Sequence, residues 1–287
     1  MRLWLYAKSS HRESLDNVRR VSAITNALAE FNPTLCTGDY RAASIAKDTM
    51  GVKNSMGVDA MGNLPHTMER LDMLIYDNED VTSEMYEAMD DYCSKLYSVG
   101  KDIPFDIVDN SYFVQSDFSI KKALFFSDDD YDKYFLDFCK NSQKYDIPLL
   151  NGNYFFLDTQ KEYEKSFSQV IDEEEYEDII QNTEYLLCAS VHTCLESLAA
   201  GNKPVFFVRK SQPQLHTDLI EKYNIPTAQG ENLDALIESY EQIIATYPKT
   251  NKIEKFDFSS MANSIREVFD EYKNITPTMS EIYHYSD

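Results

Sequence analysis

Short apolar runs alternate with amphipathic segments along this chain, and the alternation begins twice. In the first half, the apolar run Leu3–Ala7 is followed by Ser14–Phe31, whose apolar residues fall at helical spacing. Strands that alternate with helices pair as parallel sheets with right-handed crossovers. The predicted strands of this half are Leu3–Ala7, Pro33–Thr37, Leu71–Tyr76, Lys95–Val99 and Phe105–Asn110, and the predicted helices are Ser14–Phe31, Arg41–Met50 and Thr82–Asp91.

The alternation restarts near Ala123, after a polar stretch that marks the domain boundary. The predicted strands of the second half are Ala123–Phe126, Ile147–Leu150 or Tyr154–Leu157, Tyr185–Ala189 and Pro204–Val208, and the predicted helices are Tyr131–Lys144, Glu174–Gln181, Thr193–Ala200, Gln214–Tyr223, Asn232–Tyr247 and Ser259–Tyr272. A length of 287 residues also suits two domains better than one. We therefore predict an α/β protein of two Rossmann-like parallel-sheet domains, 1–118 and 119–258, with a closing helix and tail at 259–287. The carboxyl ends of the two sets of strands would face each other across a ligand cleft.

The acidic composition limits the partners. The chain has 49 Asp and Glu residues against 27 Lys and Arg, a formal net charge of −22. Nucleic acids and anionic membrane surfaces are bound through clustered basic residues, so neither is an expected partner. No run approaches the ~18 apolar residues of a spanning helix, and the five scattered cysteines form no CxxC pair. These features favour a cytoplasmic protein without a signal peptide, a membrane segment, a disulfide framework or a zinc site.

The segment 185–208 carries the strongest pattern for ligand binding. An apolar strand ends at Ser190, a loop with His192 and Thr193 opens a helix, and a glycine ends that helix before the next strand. The unpaired N–H groups and partial positive charge of a helix N-terminus bind an anion such as a diphosphate. Glu196, one turn into the helix, can accept hydrogen bonds from two vicinal sugar hydroxyls.

This strand–loop–helix resembles the carboxyl-terminal domain of GT-B-type nucleotide-sugar enzymes. The closest families in layout are the undecaprenyl-muramyl-peptide N-acetylglucosaminyltransferase and the UDP-sugar hydrolase of pseudaminic acid synthesis, with Glu196 and Gly201-Asn202-Lys203-Pro204 fitting their pattern. The resemblance implies a GT-B arrangement and an enzyme of bacterial surface glycan or glycoconjugate synthesis that acts on a nucleotide-activated sugar. It implies a nucleotide site formed by Ile171, Ser190, His192, Thr193 and Glu196.

The amino-terminal half resembles the same hydrolase in layout. Ala7-Lys8-Ser9-Ser10 precedes a helix, and a strand ends in Asp77-Asn78. The resemblance implies sugar or acceptor contacts from Ser9, Ser10, Asn17 and Asn78 in this half. In the second half, Ser211–His216 resembles the Gln-rich loop of the same families, which implies further contacts from Gln212 and Gln214. By position alone, His11 and His66 are the candidate general bases, with Asp77 in support.

Two segments depart from the family pattern. Asn17 stands near the position of a histidine base, and an amide cannot take a proton near neutral pH. Ser127-Asp128-Asp129-Asp130 replaces a glycine-rich phosphate loop, and its three carboxylates repel a diphosphate unless a cation intervenes. Their oxygens suit Mg²⁺ or Ca²⁺, which makes a divalent cation one candidate cofactor. A cap of the following helix is the favoured interpretation, and no residue is assigned to a metal.

Two classes of function therefore remain open. The first is a hydrolase or glycosyltransferase that acts on a nucleotide-activated sugar, and the retained Glu196 segment favours it. The second is a non-catalytic GT-B scaffold that binds another ligand or a protein partner, and the missing loops favour that. His192 fits either class, as an anion donor or acid–base group in the first and as a packing or capping residue in the second. The acidic run Asp172–Asp178 is interpreted as a solvated helix start. The sequence leaves the nucleotide, the sugar, the acceptor and the oligomeric state open.

Overall fold

The computed structural model describes residues 1–10, 13–152, 159–210 and 214–275, which form two parallel sheets covered by helices. The strands are β1 (Leu3–Ala7), β2 (Thr34–Thr37), β3 (Ser55–Gly57), β4 (Met73–Asp77) and β5 (Lys95–Ser98) in the first sheet, and β6 (Ile120–Phe125), β7 (Leu149–Leu150), β8 (Val170–Ile171), β9 (Thr183–Cys188), β10 (Val205–Phe207) and β11 (Thr227–Ala228) in the second. The helices are α1 (Asp16–Ala27), α2 (Tyr40–Thr49), α3 (Ser83–Tyr92), α4 (Tyr134–Phe138), α5 (Gln160–Tyr163), α6 (Tyr176–Asn182), α7 (Val191–Ala199), α8 (Asp218–Lys222), α9 (Leu233–Ala245) and α10 (Ser259–Ile275).

The first sheet has the strand order β3-β2-β1-β4-β5, and every pair of strands is parallel. All residues of the central strand β1 are buried, because helices cover both faces of the sheet. Leu3 and Leu5 point into a core shared with α1 and α2. Trp4 and Tyr6 point the other way, into a core under α3. The alternation of side chains along β1 thus supplies two cores at once.

The second sheet has the order β11-β10-β9-β6-β7-β8, again with only parallel pairs. One face packs against α6, α7 and α8 and includes Tyr176, Leu195 and Ile220. The opposite face packs against α4 and α9 and includes Phe135 and Tyr240. The prediction of two Rossmann-like parallel-sheet domains is confirmed.

The predicted strand Phe105–Asn110 is wrong. This segment runs between the two sheets, where Ile107 is buried in the core of the first domain and Val108 in a core of the second. An apolar run that joins two cores has the same composition as a buried strand, so its sequence pattern does not separate the two cases.

The predicted helix Tyr131–Lys144 is much shorter in the structure, where only Tyr134–Phe138 is α-helical. Lys133 and Asn141 have φ angles of +57° and +63°. These left-handed conformations interrupt a right-handed helix on both sides. The predicted strand Tyr154–Leu157 lies outside the described residues. The alternative prediction, Ile147–Leu150, contains the observed strand β7.

The last helix returns to the first domain. Ile265 of α10 is buried in the first-domain core, and the rings of Phe269 and Phe31 stack with centroids 5.8 Å apart. Arg266 adds an ion pair with Glu30 at 3.0 Å. Among the described helices, none is long and apolar enough to cross a membrane. All five cysteines are buried and free.

Candidate active site

A cavity of about 470 Å³ lies between the two domains, at the carboxyl ends of strands from both sheets. Open parallel sheets bind their ligands at this edge, and the volume falls within the roughly 300–1,000 Å³ of small-molecule sites. The lining residues follow β1, β4, β6, β9 and β10 or open α1: Lys8, Glu13, Ser14, Asp16, Asn17, Glu79, Ser127, Asp128, Asp132, Ala189, Val191, Arg209, Gln214, Leu215 and His216. The cavity therefore has five acidic residues against one lysine, one arginine and one histidine.

A histidine and a glutamate from different domains lie side by side at this cavity. His216, from the second domain, places its Nε2 atom 3.9 Å from Oε1 of Glu79, which follows β4 of the first domain. That distance is too long for a hydrogen bond, and Nε2 has no hydrogen-bond partner among the described residues. The imidazole stacks on Phe105 with ring centroids 3.8 Å apart, which fixes its plane. The ring is thus oriented, and its Nε2 atom is buried and unpaired beside Glu79.

The surroundings of Glu79 keep its carboxylate charged. Burial alone would raise its pKa, but the facing His216, the backbone, Asn17 and Lys8 outweigh burial and lower the pKa to about 2. Asn17 donates to Oε1 at 3.1 Å, and Lys8 lies 4.0 Å from Oε2. Glu79 is therefore an anion throughout the physiological pH range.

Asp77, predicted to support a base, is fully engaged in the protein interior. Its Oδ2 accepts a hydrogen bond of 2.7 Å from Nε of Arg20, and both side chains are about 1–2 % exposed. Burial raises the pKa of Asp77, and the charge of Arg20 opposes that rise. Arg20 also donates to Oδ1 of Asn17 at 2.9 Å. The pair anchors α1 to the end of β4 and positions Asn17 beside Glu79.

The N-terminus of α7, predicted to bind a phosphate, is occupied by the chain itself. Asp16, the first residue of α1, accepts from the Ser190 hydroxyl at 2.7 Å and from the backbone N–H of His192 at 3.3 Å. The hydroxyl oxygen of Ser190 in turn caps the N–H of Thr193 at 2.9 Å. One carboxylate of the first domain therefore sits at two helix N-termini, where negative charge is stabilised.

Glu196 is not an exposed helical residue, because α1 and α6 close over it. Only 2 % of it is exposed, and Oε2 accepts a hydrogen bond of 2.5 Å from the Tyr176 hydroxyl. The same hydroxyl is 2.6 Å from Oγ1 of Thr193. The guanidinium of Arg19 lies 3.3 Å above the Tyr176 ring. Nε2 of His192 is 3.5 Å from Oε1 of Glu196, and neither ring nitrogen meets hydrogen-bond geometry with a described residue.

The acidic run before α6 is only partly solvated. Glu173 is half-buried, and its Oε2 has no hydrogen-bond partner in the described part of the chain. Burial, with smaller contributions from Glu174 and Asp172, raises the pKa of Glu173 to about 7, although Arg19 opposes the rise.

The Glu173→Gln variant should therefore be more stable than the wild type at pH 8 but not at pH 4. A carboxyl whose pKa is raised on folding stabilises the protein below its unfolded pKa, near 4.5, and loses that contribution as the pH rises through 7. We expect Tm to rise by about 2–4 °C at pH 8. Thermal unfolding at both pH values measures this, with Glu174→Gln at the exposed neighbour as the control. An equal gain at pH 4 would contradict the electrostatic origin.

The aspartates of the loop after β6 are used within the protein. Asp130 accepts from the backbone N–H groups of Phe135 and Leu136, both at 2.8 Å, and caps α4 as the favoured interpretation predicted. Asp128 pairs with Arg209 at 2.5 Å. Gly152 packs so closely that a Cβ atom there would lie 1.7 Å from the Asp128 carbonyl oxygen, which excludes any side chain. In the described residues, no group of three His, Cys, Asp or Glu side chains can hold a metal ion.

The other predicted site residues are dispersed. The Ser9 hydroxyl accepts from the N–H of Asp39 at 3.1 Å, and the Ser10 carbonyl accepts from Glu13 at 3.3 Å. Asn78 accepts from the N–H of Asp80 in a turn. The Ser9 and Asn78 side chains thus bond to nearby backbone groups, and all three residues follow β1 or β4 at the carboxyl end of the first sheet.

Gln214 lines the cavity but bonds to the backbone, donating to the carbonyls of Ala189 and Phe207 at 2.9 Å. The Ile171 carbonyl accepts from the N–H of Asn151 within the sheet. His66 is exposed, and its neighbour Pro65 contacts Tyr92, the last residue of α3. Because β5 begins just after Tyr92, His66 lies at the amino ends of the strands, opposite the cleft. His11 and Gln212 lie outside the described residues.

Sequence reasoning did not select His216, Glu79 or Arg209. All three lie in segments that follow a strand at the cleft, and Glu79 comes directly after Asp77-Asn78. Because parallel sheets bind ligands at the carboxyl ends of their strands, listing every polar residue just after a predicted strand could have included them. The contact between His216 and Glu79 joins residues 137 positions apart in different domains, which spacing cannot show.

Comparison with known proteins identifies the fold. No protein-family model matches the chain, and no curated protein matches it. Among solved structures, the UDP-GlcNAc 2-epimerase from Neisseria meningitidis bound to UDP-GlcNAc is similar with a TM-score of 0.54 and 10% identity, over 94% of this chain and 100% of that chain. A putative UDP-N-acetylglucosamine 2-epimerase from Listeria monocytogenes has a TM-score of 0.54 and 10% identity, over 96% and 98%. The UDP-GlcNAc 2-epimerase from Methanocaldococcus jannaschii, in complex with UDP-GlcNAc and UDP, has a TM-score of 0.52 and 11% identity, over 94% and 100%. At this identity the likeness establishes the fold, which is two Rossmann-like domains in the GT-B arrangement.

Proposed function

We propose that the cleft is the active site of an enzyme that hydrolyses a nucleotide-activated sugar or transfers its glycosyl group. The observation that carries the proposal is the pair formed by His216 and Glu79, contributed by different domains and facing each other in a cavity of about 470 Å³. The fold adds support, because similar solved structures are described as bound to UDP-GlcNAc or UDP.

The pair suits proton transfer. Nε2 of His216 would accept the proton of a water or an acceptor hydroxyl while that oxygen attacks the anomeric carbon. The bond from this carbon to the diphosphate oxygen breaks, and its electron pair leaves with the nucleoside diphosphate. The anionic Glu79 would stabilise the imidazolium that forms. Phe105 holds the ring plane, and a small movement of Glu79 or His216 would open the buried Nε2 atom to the cavity.

Binding of a diphosphate requires a change at α7. The N-terminus of this helix is the natural anion site of the second domain, and Asp16 occupies it in the structure. The cationic groups of the cavity, Lys8 and Arg209, are already paired with Asp80 and Asp128. The diphosphate would therefore have to displace the Asp16 carboxylate from the α7 N-terminus.

The Asp16→Asn variant should bind nucleoside diphosphates more tightly than the wild type. The amide keeps one hydrogen-bond acceptor but removes the charge that competes at the helix N-terminus, so we expect an affinity gain of about tenfold. Isothermal titration with UDP at low ionic strength measures it. The matched control is Asp132→Asn, which removes the charge of an exposed residue of the same cavity, in the loop after β6. An equal gain in both variants would mean that only the overall charge of the cleft matters.

The alternative function is a non-catalytic GT-B scaffold that binds another ligand or a protein partner. One observation favours it: two elements expected to hold the nucleotide are satisfied internally, Glu196 by Tyr176 and the α7 N-terminus by Asp16. In that case these internal contacts belong to the functional structure.

A binding screen separates the two proposals. UDP, CMP, GDP, dTDP and UDP-N-acetylhexosamines are tested by thermal shift with the wild type and with Asp16→Asn, each with and without Mg²⁺. A rise in Tm with one nucleotide, larger for Asp16→Asn, supports the enzyme and identifies its donor. No rise with any nucleotide for either protein would reject the enzyme and leave the scaffold.

A further inference from the structure

A second cavity between the two domains lies further along α1 than the cleft cavity. Its walls come from α1, the end of α2, the segment 109–112 and the helices α6 and α7, and none of its lining residues belongs to the cleft cavity. The volume is about 130 Å³. A cavity of about 150 Å³ accommodates benzene, so this one has room for a ligand of about six non-hydrogen atoms.

The side chain of Arg19 lines this cavity without a polar partner. Only 8 % of Arg19 is exposed, and its guanidinium, which stacks on Tyr176 at 3.3 Å, makes no hydrogen bond or ion pair with a described residue. The guanidinium nitrogens are not among the described polar atoms that are both fully enclosed and unpaired, so they are open to the cavity. Folded proteins rarely leave such donors unsatisfied, so Arg19 indicates an acceptor that the protein does not provide.

The hydroxyl of Tyr112 is a second donor of the same kind. Tyr112 is 6 % exposed and lines the same cavity, and its hydroxyl makes no hydrogen bond with a described residue. The hydroxyl is close enough to Arg19 for the two groups to interact electrostatically. Burial raises the pKa of Tyr112 well above its ordinary value, so the hydroxyl stays protonated and can donate. The two donors together suit an anionic oxygen, above all a carboxylate.

Acidic side chains line the same cavity. They belong to Asp109, Glu177 and Glu196, so three carboxylates stand against one guanidinium. A simple anion would be repelled by these carboxylates, and a simple cation would be repelled by the guanidinium and would leave it unsatisfied. A ligand that carries both a carboxylate and an ammonium group complements both sets of charges.

We propose that this cavity binds a small free amino acid in its zwitterionic form, of the size of glycine or alanine. Its carboxylate would accept from Arg19 and Tyr112, and its ammonium group would donate to Glu177 or Asp109. The walls come from helices of both domains, so a bound amino acid links the domains and raises Tm. The inference does not depend on the function proposed for the cleft.

The test compares three ligands that share one carbon skeleton. Propionate is alanine without the ammonium group, and ethylamine is alanine without the carboxylate. We expect wild-type protein at pH 7 to bind L-alanine at least about tenfold more tightly than either, as measured by ligand-observed NMR titration, because each loses a charged hydrogen bond. L-Phenylalanine, with about twice as many non-hydrogen atoms, should not bind in a cavity of this size.

Variants then locate the binding. Tyr112→Phe removes only the unpaired hydroxyl and should weaken L-alanine binding severalfold with little effect on Tm, since no internal hydrogen bond is lost. Its matched control is Tyr134→Phe, at an exposed tyrosine outside the cavity. Glu177→Gln removes the charge of an exposed cavity residue and should also weaken binding, whereas Glu175→Gln, at an exposed glutamate outside the cavity, should not.

Arg19→Gln is the most severe variant and should abolish binding of L-alanine, provided that it folds. Preference for L-alanine over propionate and ethylamine, weakened in Tyr112→Phe and Glu177→Gln but kept in the two controls, supports the proposal. No binding of glycine or L-alanine at millimolar concentration overturns it. Equal binding of propionate and L-alanine overturns the zwitterion as the ligand. Binding that is unchanged in Tyr112→Phe and Glu177→Gln, or equally tight for L-phenylalanine, places the ligand elsewhere and also overturns the proposal.

Discussion

The Asp77→Ala variant is expected to lose about 3–5 kcal/mol of the free energy of unfolding, because it leaves the Arg20 guanidinium buried without a carboxylate. The two side chains are about 1–2 % exposed and 2.7 Å apart, so water cannot replace the missing partner. Urea denaturation at pH 7 measures the loss, provided that the variant folds. Asp77 would then anchor α1. The sequence had instead predicted that Asp77 supports a general base.

Two further variants test that assignment. The double variant Asp77→Leu with Arg20→Met removes both charges and should recover most of the lost stability, since replacing a whole buried ion pair by apolar groups is often close to neutral. The exposed pair of Arg70 and Asp91 is the matched comparison, and Asp91→Ala should cost less than about 1 kcal/mol. If Asp77→Ala cost no more than Asp91→Ala, the buried pair would not anchor α1.

The architecture could be predicted because each domain repeats one local pattern. The predicted run Leu71–Tyr76 and the observed β4 overlap, since a strand buried on both faces is apolar along most of its length. The same rule failed at Phe105–Asn110, where the apolar residues are divided between two domains. A pattern read along the chain detects burial but does not distinguish a sheet from a domain crossover.

The site was less predictable because its contacts are long-range. Asp16 was not among the predicted site residues, yet it reaches Ser190, 174 residues away, and fills the expected phosphate position. Glu196 matches the family pattern by spacing, but Arg19 and Tyr176 bury it. Spacing places a residue on a helix, whereas the packing of the other domain decides whether that residue reaches a ligand.

The His216→Gln variant is expected to lower kcat by about 10²- to 10⁴-fold with the sugar nucleotide that the binding screen identifies, because glutamine can hold a hydrogen bond but cannot carry the proton. Release of the nucleoside diphosphate measures kcat, and the fall in kcat should exceed any rise in KM. Glu79→Gln should produce a smaller fall, since it removes only the stabilisation of the imidazolium. The double variant should be little worse than His216→Gln alone, as for two residues that act as a unit.

His66 provides the contrast, because the sequence predicted it as a candidate base and it lies within the described residues. It is exposed at the opposite edge of the sheet, so His66→Gln should keep kcat within about twofold of the wild type, as expected for an exposed substitution outside the cleft. If His66→Gln were inactive and His216→Gln active, the cleft would not be the catalytic site. If His66→Gln and His216→Gln were both fully active on a bound sugar nucleotide, His216 and Glu79 would only help to hold the two domains together. Proton transfer would then have to come from a residue that neither the strand-end pattern nor the described contacts identify.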